Sequence, residues 1–128
     1  MAAGLTERIC DLVAQPPALS AADREDILLA FADTLACAHA GWAEPVTRAV
    51  AGTCRGGAVP LLDGSMAPGA EQAALVTATA GHALDYDDVH LDSTTHPSVV
   101  IVPALLAVQA ERGWTRRGWR RPSRQEWR

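Results

Sequence analysis

The residues able to do chemistry crowd into one stretch, Gly81 to Ser98, reading GHALDYDDVHLDSTTHPS. It holds four carboxylates (Asp85, Asp87, Asp88, Asp92), three of the chain's four histidines (His82, His90, His96) and five hydroxyls (Tyr86, Ser93, Thr94, Thr95, Ser98). A carboxylate and an imidazole held together can remove a proton at one position and deliver one at another, which is general acid and base chemistry. The same groups also offer nitrogen and oxygen ligands, so a zinc or manganese site through His82, Asp85, Asp87, His90, Asp92 and His96 is a second reading, although the spacing matches no standard metal motif.

Two apolar segments must position this stretch. Residues 73 to 84, AALVTATAGHAL, carry no charge and read as a helix buried on all sides. The acidic cluster therefore begins where a helix ends, facing the negative end of its dipole, so cations or hydrogen bonds are needed to relieve it. On the other side, His96 precedes Pro97 and Ser98 and the run VVIVPALLAV. Proline at the first position of a helix puts His96 at its positive end, an environment that favours the neutral imidazole. Pro103 implies either a kink in that helix or a helix beginning at about Pro103 with VVIV irregular.

The rest of the chain reads as further helices. Thr6 starts one that runs to about Ala14, with Leu5, Ile9, Leu12 and Val13 on one face, and Pro16 and Pro17 stop it. Ser20, with Asp23 three residues on, forms a capping box for a second helix whose stripe is Ile27, Leu28, Phe31, Leu35 and Ala38, ending at Gly41. A third spans about Glu44 or Pro45 to Cys54, closed by Gly56 and Gly57. AVPLL is then a short extended piece before the turn DGSMAPG, and Pro68 or Gly69 opens the buried helix. The expected fold class is all-α, with about five helices.

The segments GHALDYDD, then THPS, then a run ending VPALLA closely resemble the MmgE/PrpD family, which includes 2-methylcitrate dehydratase and cis-aconitate decarboxylase. The likeness covers roughly residues 5 to 112, taking in DTLACAHAG and GAEQAALVTATAGHALDYDD. It implies a large helical domain, formed mostly by the N-terminal part of the chain, alongside a smaller α+β domain. It further implies lyase chemistry on a small polycarboxylate, no metal or organic cofactor, and a homodimer at full length. By the motif, Asp85 and His96 match the family's active-site aspartate and histidine, and Asp88, Thr95 and Ser98 are implied substrate contacts. One position departs: Val89 stands where the decarboxylase branch has a threonine, which favours a dehydratase or another relative. Family members are several times longer than 128 residues and their later histidine and lysine site residues have no counterpart here, so the expectation is an N-terminal piece, inactive alone.

Charge divides the chain at Arg112. Residues 1 to 112 hold 5 arginines against 14 aspartates and glutamates, a net of −9, while residues 113 to 128 hold 6 arginines and one glutamate, a net of +5. There is no lysine. The segment GWTRRGWRRPSRQEWR lacks apolar periodicity and is read as an irregular, basic tail of the kind that GC-rich codons give out of frame. It is a weak candidate for an anionic partner, because the acidic body repels nucleic acid and anionic membranes alike. Neither nucleic acid nor membrane is therefore expected as a partner. Three scattered cysteines, Cys10, Cys37 and Cys54, read as reduced thiols of a cytoplasmic protein. No basic leader precedes an apolar core, and no uncharged apolar run reaches the roughly 18 residues that suggest a spanning helix.

Overall fold

The computed structural model describes residues 4–113. It contains five helices, α1 (Leu5–Ala14), α2 (Ala21–Ala40), α3 (Pro45–Thr53), α4 (Ala70–His82) and α5 (Pro97–Arg112), with a 3₁₀ turn at Gly41–Ala43 between α2 and α3. Between α3 and α4, β1 (Val59–Pro60) pairs antiparallel with β2 (Met66–Ala67), Val59 opposite Ala67 and Pro60 opposite Met66. The all-α expectation holds, and AVPLL does form the first arm of this small hairpin.

Local signals explain most boundaries. Ser20 accepts from the Asp23 amide at 3.1 Å and the Asp23 carboxylate accepts from the Ser20 amide at 2.7 Å, the two halves of the expected capping box. These bonds hold the Asp23 carboxyl below its ordinary value. At the hairpin turn, the Ser65 hydroxyl and amide donate to Asp63 at 2.6 and 2.9 Å and lower that carboxyl too. Because both folded values are depressed, the stability they contribute is present at neutral pH and lost as the pH falls through them. Pro45 and Pro97 occupy first turns, where their missing N–H costs nothing.

α4 is the central helix, packed against α2, α3, α5 and the hairpin. Cys54, Val59, Leu61, Ala67, Ala70, Ala73, Val76 and Ala107 form the core, with Trp42 and Val50 against it. Small residues let the backbones close in. A methyl group added at Gly41 would collide with the Ala80 carbonyl, and one at Gly81 would lie 2.6 Å from a Val99 methyl. That closeness locks the end of α2 and the start of α5 against the last turn of α4.

The structure decides between the two readings at Pro103 and corrects two other expectations. α5 starts at Pro97 and runs through a buried Pro103, so of the two readings the helix from Pro97 holds and VVIV is helical. The ring of Pro103 is accommodated within the packed core, while its missing N–H leaves the Val99 carbonyl without its usual helical donor. α4 is buried along Ala70, Ala73, Val76, Ala80 and Gly81 but leaves Leu75 exposed. The apolar stripe of α1 exists, yet Leu5, Ile9, Leu12 and Val13 are all exposed, as are Ile27 and Leu28 at the start of α2. On α2 the buried side is Thr34, Cys37 and Ala38. Periodicity marks which face is apolar; only packing decides whether anything covers it. No helix among the described residues is long and apolar enough to cross a membrane.

All three cysteines are free, Cys10 exposed and Cys37 and Cys54 buried. Burial, reinforced by the negative charges of Asp33, Asp87 and Asp88, pushes the Cys37 thiol up. Because the thiolate is the nucleophile, iodoacetamide should label Cys10 first and Cys37 only on unfolding. Mass spectrometry of the partly alkylated chain checks this, and Cys37 labelling as fast as Cys10 would contradict the packing of α2 on α4.

Candidate active site

α4 ends at His82, and the chain turns away through Asp85, whose φ of 56° lies in the left-handed region and whose amide donates to the His82 carbonyl at 3.1 Å. Aspartate tolerates this conformation better than most residues, because its short side chain bonds locally. The turn carries Asp87 inward. Its side chain is only 1% exposed, against 78% for Asp85. The loop then runs out to a turn closed by the His90 amide donating to the Thr95 carbonyl at 2.8 Å, and returns to His96, the residue capping α5.

This path brings both ends of the 81–98 stretch together. His82 Nδ1 lies 3.0 and 3.1 Å from the two Asp87 oxygens. An ionised carboxylate only accepts, so the proton of that bond sits on His82 Nδ1. The imidazole of His96 stands edge-on to that of His82, centroids 4.6 Å apart. Its Nδ1 is 3.2 Å from Asp87 Oδ2 and its Nε2 is 3.8 Å from Asp85 Oδ1. The Nδ1 contact is close in distance but misaligned, leaving that buried nitrogen without a hydrogen bond. His96 is thus held between a buried and an exposed carboxylate. A cavity of ≈ 470 Å³ lies against it, lined by His82, Thr94, Thr95 and His96 and by the apolar start of α5.

Asp85 and His96, paired from the sequence motif, are therefore neighbours. Thr95 borders the cavity, and its hydroxyl lies 2.8 Å from that of Ser93, which in turn is 2.9 Å from His90 Nδ1. Asp88 and Ser98 are engaged with each other. The Ser98 amide and hydroxyl donate to the Asp88 carboxylate at 3.1 and 2.7 Å, satisfying one orphan donor at the N-terminus of α5. Of the six residues considered as metal ligands, His82, Asp85, Asp87 and His96 present ligand atoms within 4.8 Å of one another. His90 is turned to Ser93 instead, and Asp92 does not belong to the group. The motif-based assignment omitted His82 and Asp87. The available signal was the fall of His82 on the last turn of a buried helix, but nothing in DYDD distinguishes the aspartate that turns inward.

A mostly helical domain with a histidine–carboxylate cluster at the junction of two core helices is the class these features define. Residues 7–120 match the family model described as MmgE/PrpD N-terminal domain, and the chain belongs to the MmgE/PrpD family. That match extends past Arg112; the reading of residues 113–128 as a basic tail falls, beyond Gly113, outside the described residues. Comparisons with curated proteins and with solved structures gave no match.

Proposed function

We propose that the 82–98 cluster is part of the acid–base centre of a cytoplasmic, cofactor-independent lyase, a dehydratase acting on a small polycarboxylate such as 2-methylcitrate in propionate metabolism. The observation that carries this reading is His96 held between Asp87 and Asp85 beside a cavity of ≈ 470 Å³. In such a reaction one group removes a proton from the carbon next to a carboxylate. Another protonates the departing hydroxyl, which leaves as water while the carbon–carbon double bond forms. These two roles are assigned to His96 and Asp85, which lie 3.8 Å apart, while Asp87 fixes the His82 imidazole by hydrogen bonding and sets a buried negative charge beside His96. Thr95, Asp88 and Ser98 are assigned to substrate contact, Thr95 from the cavity wall, Ser98 from the first turn of α5 and Asp88 from the loop bonded to it.

Residues 81–98 contain no lysine or arginine to hold substrate carboxylates. The 128-residue chain is therefore proposed to be inactive alone, with homodimerisation belonging to the full-length enzyme. The test is dehydration of 2-methylcitrate, followed by ultraviolet absorbance of the alkene, for the 128-residue chain and for the intact coding frame around it. Activity only in the longer protein, reduced by roughly 100-fold or more in Asp85→Asn or His96→Gln, is expected if these groups are the acid and base. Turnover by the short chain, lost on Asp85→Asn, would refute the proposed inactivity.

The four ligand atoms within 4.8 Å favour one second reading, a zinc site at His82, Asp85, Asp87 and His96. Tight stoichiometric zinc in the purified chain, lost on His82→Ala, would replace the acid–base reading; zinc-free protein with intact loop structure would remove the metal.

A further inference from the structure

A second cavity, ≈ 830 Å³, shares no residue with the 82–98 site. It opens between the end of α2, the 3₁₀ turn, α3 and the hairpin turn. Its walls include His39, Trp42, Arg48, Gly52, Arg55 and Asp63.

Its charge is unlike its surroundings. Residues 1 to 112 carry a net of −9 and only 5 arginines, yet two of the five line this one cavity. Neither Arg48 nor Arg55 forms a salt bridge or a side-chain hydrogen bond among the described residues. The one carboxylate in the wall, Asp63, is already held by the Ser65 hydroxyl and amide. Two guanidiniums against one occupied carboxylate leave the wall with one uncompensated positive charge, taking His39 as neutral. Guanidinium forks match carboxylates in geometry and bond them strongly.

Beside these charges the wall joins polar groups, His39, Thr47 and Ser65, to an apolar part around Trp42, whose side chain also helps to lower the Asp63 carboxyl. Trp42 is half-buried, with its indole packed on the core, and Ala43, Ala51 and Met66 border the same space. Gly52 borders open space within it, since a methyl group added there meets nothing within 4 Å. We propose that this cavity binds a small monoanionic carboxylate with a flat apolar body, its carboxylate held by Arg48 and Arg55 and its body against Trp42. The ligand class follows from the single excess charge and the indole wall.

The test uses the full 128-residue chain, with naphthalene-2-carboxylate as probe and the uncharged naphthalene-2-carboxamide as its shape-matched control. Binding is read from the Trp42 indole N–H in nuclear magnetic resonance spectra, assigned through Trp42→Phe. The carboxylate should bind at least about tenfold tighter than the amide, the discrimination expected from one or more charge-assisted bonds. Arg48→Gln/Arg55→Gln should abolish that difference, and neither exposed arginine has a partner whose loss would unfold the chain. Gly52→Leu should block both probes, whereas Gly52→Ala should bind as wild type does. The Gly52 changes replace a helical glycine by better helix formers, so folding is favoured in both. Equal affinity for acid and amide, undiminished carboxylate binding in the double-arginine variant, or no saturable shift would overturn the proposal.

Discussion

Asp87→Ala is expected to loosen the 82–98 loop and to lower the unfolding free energy by about 1–3 kcal/mol, the penalty typical of leaving buried hydrogen-bonding groups unmade. The Asp87 carboxylate is the inward anchor of the loop and the partner of the His82 Nδ1 proton. Alanine removes that acceptor and also the negative charge beside the buried His96 Nδ1. Two terms oppose each other. Losing a charge-assisted bond destabilises, whereas no longer burying a carboxylate stabilises. The loss should prevail, because alanine also leaves an unfilled space next to two imidazoles. His82 is half exposed and can find water, which keeps the effect below that of a fully buried ion pair. Asp87→Asn retains an acceptor of the same shape and should cost less. Urea unfolding measures the stabilities, and long-range nitrogen-15 imidazole spectra report whether His82 and His96 keep one environment. An Asp87→Ala chain as stable as wild type, with both imidazole signals unmoved, would show that Asp87 is not the anchor.

Gly41→Ala should destabilise by about 3 kcal/mol, the upper part of the range for overpacking. The added methyl group would meet the Ala80 carbonyl and come within 3.1 Å of the Ala83 methyl. A backbone carbonyl inside a helix cannot rotate aside, so the end of α2 must separate from α4. At φ −82° Gly41 is in a conformation open to any residue, so the whole penalty is steric. Gly81→Ala, meeting a Val99 methyl at 2.6 Å, should cost less, since a side chain can shift. Gly52→Ala meets nothing and should stabilise α3 by about 0.5–1 kcal/mol through reduced backbone entropy in the unfolded chain. Thermal midpoints of the three variants should rank Gly52→Ala above wild type, then Gly81→Ala, then Gly41→Ala. The reverse order for Gly41 and Gly81 would contradict the approach of α2 to α4. Because α4 positions His82, Gly41→Ala should also disturb the His82 imidazole signal.

Much of the fold is written locally. The Ser20 and Asp23 capping box, the prolines at the starts of α3 and α5 and the glycines after α3 each act over three or four residues. Boundaries of that kind are settled by short-range hydrogen bonding and backbone sterics, so they are legible from sequence spacing. The site motif is legible for a related reason: DYDD and THPS combine residue types that a core or a plain turn has no need to assemble.

What covers a helix face is different, because it depends on residues far along the chain. Leu5, Ile9 and Leu12 have the spacing of a buried stripe and remain exposed, whereas the neighbouring aspartates 85 and 87 end at opposite extremes of burial. The positive φ of Asp85 turns the chain so that Asp87 points inward. The close seat of Gly81 on Val99 then brings His96 back to His82 across fourteen residues. Likewise, Arg48 and Arg55 are ordinary surface residues in the sequence until the hairpin turn closes a wall opposite them. The sequence by itself determined the helices, their caps and the stretch in which histidines and carboxylates are concentrated. Tertiary structure alone decided which carboxylate is buried, which imidazoles share it and where the unpaired cations gather, because burial and charge pairing arise from contacts between segments that local preferences do not encode.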